Sequence, residues 1–163
     1  MRTAIRAIIL FFLVLWLGGV LFFPIVAATA FGSLTDTHAA GTIVAKCLRI
    51  LHYEGLISGF LIVLLLLLGQ WTRAFARSVV APVVMALIML GLTAFSQFSI
   101  IPRMESYRIA AGGAIDLVPP SNPNRVAFNR LHGTSMHVYE GVLLSGIILV
   151  VLLAANYPRQ PIA

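Results

Sequence analysis

The sequence has little charge for its length. Asp, Glu, Lys and Arg make up 10% of its 163 residues, whereas a soluble domain has about 25%. Hydrophobic residues make up 60%. Because so few charged side chains cannot cover a water-facing surface, lipid must solvate most of the chain. The composition excludes an ordinary soluble protein and leaves room for a single transmembrane domain over residues 1–163.

Other signals of soluble function classes are also missing. The single cysteine, Cys47, excludes an intrachain disulfide and a CxxC redox or zinc motif. No dense metal-ligand motif such as HExxH is present. The net charge of +6 fits arginines that flank membrane segments and meet anionic headgroups. We therefore expect no nucleic-acid partner.

Four long apolar stretches are present instead. They cover about residues 5–30, 51–71, 79–101 and 138–155. Each is near the ~20 residues that a helix needs to cross a hydrocarbon core of ~30 Å. Backbone groups in lipid must bond within their own segment, and the leucine run 64–68 lacks the alternation of a β-barrel strand. The sequence predicts an all-α, integral membrane four-helix bundle.

Basic residues predict the orientation of this bundle. Arg2 and Arg6 precede the first stretch, Arg73 and Arg77 lie in the short acid-free second loop, and Arg159 follows the fourth stretch. Six other Lys and Arg residues lie on the opposite flanks, spread over longer segments. The positive-inside rule then places both termini in the cytoplasm. The first stretch is about twice as long as a signal-peptide core, so we expect a retained helix. The expected location is the bacterial inner membrane.

The segment before the second stretch has its own helix signal. Asp36 or Thr35 can cap a helix start, because their side-chain oxygens accept hydrogen bonds from free backbone N–H groups. Residues 39–49 then form a helical lead-in to the second spanning helix.

The outer loop between the third and fourth helices is long. Pro102 should bend the end of the third helix, because it lacks the N–H that would bond one turn back. Residues 104–111 fit a short helix before a Gly-Gly pair, and Asn122 or Asn124 fits the cap of a helix that leads into the fourth span. We expect residues 104–124 to lie over the outer mouth of the bundle and partly to shield it.

Several motifs occur in an order that resembles a known family. They are Trp16-Leu17-Gly18-Gly19, Phe22-Phe23, Phe31, Ala40-Gly41, Ile101-Pro102-Arg103-Met104 and Phe128-Asn129-Arg130-Leu131-His132-Gly133. Together they resemble the transmembrane-protein-205-like family, a four-helix bacterial membrane domain of unknown function. The resemblance covers about residues 5–155. It implies a four-helix membrane fold and supplies no catalytic residues.

Polar residues from three helices reach one depth near the outer surface. Counting about 20 residues from the cytoplasmic ends places His52, Gln97 and His137 at similar depth, with Glu54 and Glu140 slightly deeper. An ionisable group inside a spanning helix is costly without a partner, so it is a functional hypothesis by default. We expect His137 and Glu140 to turn into the bundle. The candidate polar layer or ligand site comprises His52, Glu54, Gln97, His132, His137 and Glu140.

Four interpretations of this layer are open. The first is structural: the groups bond to one another and tie the helices together. The second is a zinc, iron or copper site with ligands from His52, His132, Met136, His137 and Glu140, or Met104 and Cys47 for copper. The third is haem b held by His52 with His132 or His137. The fourth is transport or a proton relay. Nucleophilic catalysis is disfavoured, because no elbow motif surrounds Ser135.

Small residues on three helices predict close helix packing. Gly55 and Gly59 form a GxxxG pair on the second helix, which lets another backbone approach. Packing within the bundle is the simpler explanation, and packing against a partner subunit is the alternative. The full set is Gly18, Gly19, Gly55, Gly59, Gly141 and Ser145.

These observations favour a non-enzymatic integral membrane protein with a His/Glu layer at its outer mouth. It is either free-standing or an accessory subunit of a larger membrane complex. Its expected partners are the lipid bilayer and other membrane subunits or a second copy of itself. A metal- or haem-binding redox protein and a small transporter are the rival hypotheses.

Overall fold

The computed structural model describes residues 2–156, and within that range it contains helices and connecting turns but no strand. The elements are α1 (Arg2–Ser33), α2 (Thr37–Trp71), α3 (Val80–Phe95), a π-helical turn (Ser96–Ile100), α4 (Ile101–Ala110), a 3-10 turn (Ile115–Leu117) and α5 (Pro123–Ala155). Four helical units in this range are long and apolar enough to cross a membrane: α1, α2, the continuous Val80–Ala110 segment and α5. The predicted all-α four-span membrane architecture is confirmed. The cytoplasmic side of both termini stays a prediction, and Arg159 lies outside the described residues.

The helices extend well beyond the apolar stretches. At a rise of 1.5 Å per residue, the 32, 35 and 33 residues of α1, α2 and α5 are about 48–53 Å long, compared with ~30 Å of hydrocarbon. The predicted lead-ins are confirmed, and they are continuous with the spans. Asp36 caps α2 by accepting hydrogen bonds from the N–H groups of His38 and Ala39. Asn122 caps α5 in the same way, with Pro123 in the first turn.

The third span does not end at Pro102. Its helix passes through the π-helical turn, in which the N–H of Ile101 donates to the carbonyl of Ser96, and continues as α4 to Ala110. A π turn shifts hydrogen bonding by one residue, which lets the helix absorb a proline that has no N–H. The helix predicted over residues 104–111, before the Gly-Gly pair, is confirmed as part of α4. The irregular part of the outer loop starts after Ala110, and Gly112 and Gly113 adopt positive φ there.

The outer loop is held against the bundle. The guanidinium of Arg125 donates hydrogen bonds to the carbonyls of Asp116 and Val118. Ile115 is buried, and its 3-10 turn packs against α2 and α5. An ordered loop was expected from its proline and asparagine cluster. Shielding of the polar layer by the loop stays a prediction.

α1 carries a proline in mid-helix, and α5 compensates for it. Pro24 lies inside α1, where it has no N–H to give to the carbonyl four residues earlier, that of Val20. The hydroxyl of Tyr139 on α5 donates to this carbonyl instead. The ring of Tyr139 also contacts the ring of Phe23, with centroids 6.1 Å apart. A polar group that lipid could not satisfy is therefore used to join α1 to α5.

The helices pack as an antiparallel bundle around the indole of Trp16. α2 lies against α1 and α3, while α5 lies against α3, α4 and α1. Trp16 is almost fully buried, and the surrounding core contains Ile9, Leu13, Ile62, Leu66, Met89 and Leu149. At one end of the bundle, Arg6 donates to the carbonyl of Ala74 and lies over the ring of Phe75. This contact joins the start of α1 to the loop between α2 and α3.

Candidate functional site

His52 and Gln97 meet in the interior, as their predicted common depth requires. His52 on α2 is 7% exposed and Gln97 in the π-helical turn is 6% exposed. The ring Nδ1 of His52 lies 3.0 Å from the Oε1 of Gln97. Because an amide oxygen only accepts, Nδ1–H of the histidine is the donor. Each side chain thus satisfies a polar atom of the other in the interior, and the pair joins α2 to the third span.

The position of Gln97 coincides with the irregular turn of the third span. Residues 96–100 form the π-helical turn, and Ser96 and Gln97 are both buried in it. Single π turns inside α-helices occur often at functional sites, since they turn a side chain away from the regular helical register. The buried polar pair and the one irregular turn within the described part of this span therefore occupy the same place.

Glu54 lies beside the interior, on a different face of α2 from His52. Its Oε1 accepts a hydrogen bond of 2.6 Å from the hydroxyl of Ser58. Its Oε2 is buried and has no hydrogen-bond partner among the described residues. The divergence of Glu54 from His52 was expected, since two residues along a helix rotate a side chain by about 200°. The two groups do not face one ligand.

His137 and Glu140 point away from the bundle, and the expectation that they turn inward is wrong. Their side chains are 83% and 65% exposed, and the His137 Nδ1 lies 3.2 Å from the Glu140 Oε2. The buried face of α5 is formed by Val142 with Ser145, Gly146, Leu149 and Leu153. At 3.6 residues per turn, Glu140 lies about 160° and His137 about 140° around the helix from Val142. Rotation about the helix axis places both side chains on the outward face, and their common depth with His52 stays a prediction.

The remaining candidate residues do not assemble a metal or haem site. His132 is exposed and its ring stacks on Phe128 at 6.4 Å, and Met136 is exposed. Since His52 faces the interior while His132 and His137 face outward, these histidines cannot hold one haem between them. Among residues 2–156 no three His, Cys, Asp or Glu side chains are grouped closely enough to hold a metal ion. The geometry gives no support to either cofactor hypothesis.

The predicted packing glycines mostly lie at close contacts, but their neighbour is often a side chain. A Cβ on Gly55 or Gly59 would collide with the indole of Trp16, so the GxxxG pair accommodates a ring and not a second backbone. A Cβ on Gly19 would meet Leu51, and one on Gly141 would meet Leu92. Ser145 is buried, as expected.

Gly18 is the exception. It is exposed, and a Cβ there would meet nothing within 4 Å, so it does not serve packing within the described bundle, and packing against a partner stays a prediction. A packing glycine that sequence reasoning missed is Gly146, where a Cβ would collide with Leu17 and Met89. Its spacing of five residues from Gly141 does not match the small-xxx-small pattern, which explains the omission.

Sequence reasoning also missed two polar contacts. The hydrogen bond of Tyr139 is not predicted from its own position, because a tyrosine in a spanning helix resembles an ordinary core or interface residue. Pro24 on α1 indicates it, since a proline inside a helix leaves a carbonyl that needs another donor. Ser58 was detectable from its position four residues after Glu54, which places both on one helix face.

Comparison with known proteins identifies a family but no activity. A family model described as "Domain of unknown function (DUF4149)" matches residues 11–112, which run from the first half of α1 to just beyond the end of α4. His52, Glu54 and Gln97 lie inside this match, whereas His137 and Glu140 lie beyond it. No curated protein and no solved structure matches the chain. The resemblance to the transmembrane-protein-205-like family stays a prediction. The chain belongs to the DUF4149 family, whose function is unknown.

Proposed function

We propose that this chain is a non-enzymatic accessory subunit of a larger complex in the bacterial inner membrane, and that α5 binds a transmembrane helix of another subunit. The observation that carries this proposal is the His137–Glu140 pair on the outward face of α5. Both residues belong to a helix that is long and apolar enough to span a membrane.

The depth of Glu140 makes an uncovered position unfavourable. It lies 15 residues before the end of α5 at Ala155, which is about 23 Å along the helix. A hydrocarbon core of ~30 Å that starts near this end would contain Glu140, close to its outer edge. A charged side chain facing lipid costs roughly 2.5–3.5 kcal/mol at mid-bilayer and less near the edge. A partner helix that supplies a hydrogen-bond donor or cation at this depth removes much of that cost.

The outward face of α5 has the spacing that a packed helix requires. Exposed residues follow one another at alternating intervals of four and three residues: Gly133, His137, Glu140, Leu144, Ile147 and Val151. This 3.5-residue period is the pattern of a left-handed helix pair, the commonest packing in membrane bundles. We call this row the α5 stripe. It is polar near the outer surface and aliphatic deeper, so the partner helix should carry its polar group opposite Glu140.

Photocrosslinking in native membranes tests the proposal. A photoreactive amino acid at Leu144 should give one discrete adduct with another membrane protein, whereas the same residue at the exposed Leu87 of α3 should give mainly lipid adducts. Glu140→Leu should abolish the Leu144 adduct. Thr134→Leu, a matched polar-to-apolar change that lies off the stripe but is also exposed on α5, should leave it intact.

Two results would contradict the proposal. An adduct between two copies of this chain would replace the accessory subunit by a homo-oligomer, for which His137 and Glu140 are self-complementary. Lipid adducts alone at Leu144, as at Leu87, would mean that the α5 stripe faces the bilayer. The transporter hypothesis would require substrate flux in liposomes, and no contact among the described residues favours it over the subunit.

A further inference from the structure

A shallow apolar groove lies at the opposite end of the bundle from the polar layer. It runs between the end of α2 and the start of α3, and its volume is about 340 Å³, at the low end of the usual range for ligand clefts. Its walls are aliphatic apart from two residues at one end. The lining residues are Leu67, Gln70, Ser78, Val79, Val80, Val83 and Val84.

The loop that closes this groove is held in place from several sides. The side-chain oxygen of Gln70 accepts a 3.1 Å hydrogen bond from the N–H of Val79. The N–H of Ala74 donates to the carbonyl of Gly69 at 2.7 Å, and the ring of Phe75 lies where a side chain on Gly69 would be. Arg73 adopts a positive φ of 52° in this tight turn. The groove is therefore preformed and does not need a ligand to order its walls.

The polar end of the groove is also the cationic end. Arg73 and Arg77 lie in the loop and are exposed. Ser78, a lining residue, directly follows Arg77. The loop contains no acidic residue, and neither arginine side chain has a hydrogen bond or ion pair within residues 2–156. Trp71, highly exposed at the same level, is typical of the membrane–water interface.

We propose that this groove binds one anionic phospholipid. An acyl chain lies along Leu67, Val80 and Val84, and the headgroup phosphate lies between Arg73 and Arg77. The aliphatic walls with polarity at one end match the division of a phospholipid into chain and headgroup. Two cations without a neighbouring acid favour a headgroup of net negative charge over a zwitterionic one. Each basic residue near an anionic lipid raises the binding affinity about fivefold. This site is independent of the α5 stripe and of the proposed partner.

The test uses the full-length protein, purified in detergent and stripped of lipid. Phosphatidylglycerol, phosphatidylcholine and inorganic phosphate are added separately, and retention is measured by native mass spectrometry beside the change in Tm. We expect phosphatidylglycerol to be retained as a single copy and to raise Tm, while the other two probes have little effect. Arg73→Gln with Arg77→Gln should weaken retention about 30-fold. Val84→Trp, which fills the groove and leaves both charges, should also weaken it.

A matched control separates this site from general attraction to basic surfaces. Arg103 and Arg130 are exposed as well but lie towards the other end of the bundle. Arg103→Gln with Arg130→Gln should leave phosphatidylglycerol retention unchanged. The proposal is overturned if this control weakens retention as much as the loop variant does. It is also overturned if phosphatidylcholine binds equally well, or if inorganic phosphate alone gives the same rise in Tm.

Discussion

Replacing Tyr139 by phenylalanine removes one hydroxyl group and leaves the aromatic contact with Phe23 in place. That hydroxyl is the donor for the Val20 carbonyl, which Pro24 deprives of its ordinary helical partner. The variant therefore leaves a backbone carbonyl unsatisfied inside the bundle. Interhelical hydrogen bonds in membranes contribute about 0.6 kcal/mol on average and at most about 1.7 kcal/mol. Because lipid offers no donor to replace the hydroxyl, we expect a cost in the upper part of this range: Tyr139→Phe should lower the free energy of unfolding by about 1–1.7 kcal/mol.

A second substitution, Pro24→Ala, should reduce the contribution of the Tyr139 hydroxyl to stability. Pro24 is exposed, so Pro24→Ala leaves no cavity in the core, and it restores an N–H one turn after Val20. The carbonyl then has an intrahelical donor. In the Pro24→Ala background we expect Tyr139→Phe to cost no more than about 0.5 kcal/mol, a coupling of about 1 kcal/mol between two residues on different helices.

The four proteins of this double-mutant cycle should be unfolded in mixed micelles by titration with a denaturing detergent, with helix content and tryptophan fluorescence as probes. Equal costs of Tyr139→Phe in the two backgrounds would refute the reasoning. They would mean that the tyrosine stabilises α5 by some means other than the orphaned carbonyl of α1.

Three further predictions concern packing, the buried pair and topology. Gly55→Ala should destabilise the bundle by about 1–3 kcal/mol, because its methyl group would clash with the buried indole. The control Gly18→Ala lies in open space and should change stability by less than about 0.5 kcal/mol. The same detergent titration measures both variants. Gln97→Leu should cost about 1–3 kcal/mol, because its histidine partner loses its acceptor, and an unchanged unfolding midpoint would contradict this. Ser78→Cys, with Cys47→Ala, should react with an impermeant thiol reagent only after permeabilisation; labelling in intact cells would overturn the cytoplasmic assignment of that loop.

Most of the fold could be predicted from the sequence because lipid leaves the backbone few choices. Four apolar stretches of spanning length must be helices, and caps such as Asp36 and Asn122 are local features that need no tertiary information. The π-helical turn was not predictable in the same way. A proline such as Pro102 predicts a disturbed hydrogen-bond pattern, but a helix can accommodate a proline by bending, by breaking or by forming a π turn, and the sequence does not show which.

The candidate site was only half predictable, and the reason is geometric. Counting residues along a helix fixes depth, and it correctly brought His52 and Gln97 together. Rotation about the helix axis depends on which face packs, and that is decided by residues elsewhere in the helix. On α5 small and aliphatic residues such as Gly146 and Leu149 form the inward face. Glu140 therefore lies on the opposite, outward face. Comparing the burial preferences of all residues around α5 predicts the outward position of Glu140, whereas counting along the helix does not.

The central claim is that the outward face of α5 is covered by another membrane subunit in the cell. Carbene footprinting with a lipid-soluble reagent measures this coverage on the unmodified protein. In native membranes Leu144 and Ile147 should be protected while Leu87 on α3 is labelled, and in dilute liposomes of the purified protein all three, each exposed in the isolated chain, should be labelled. Equal labelling of Leu144 and Leu87 in native membranes would contradict the account.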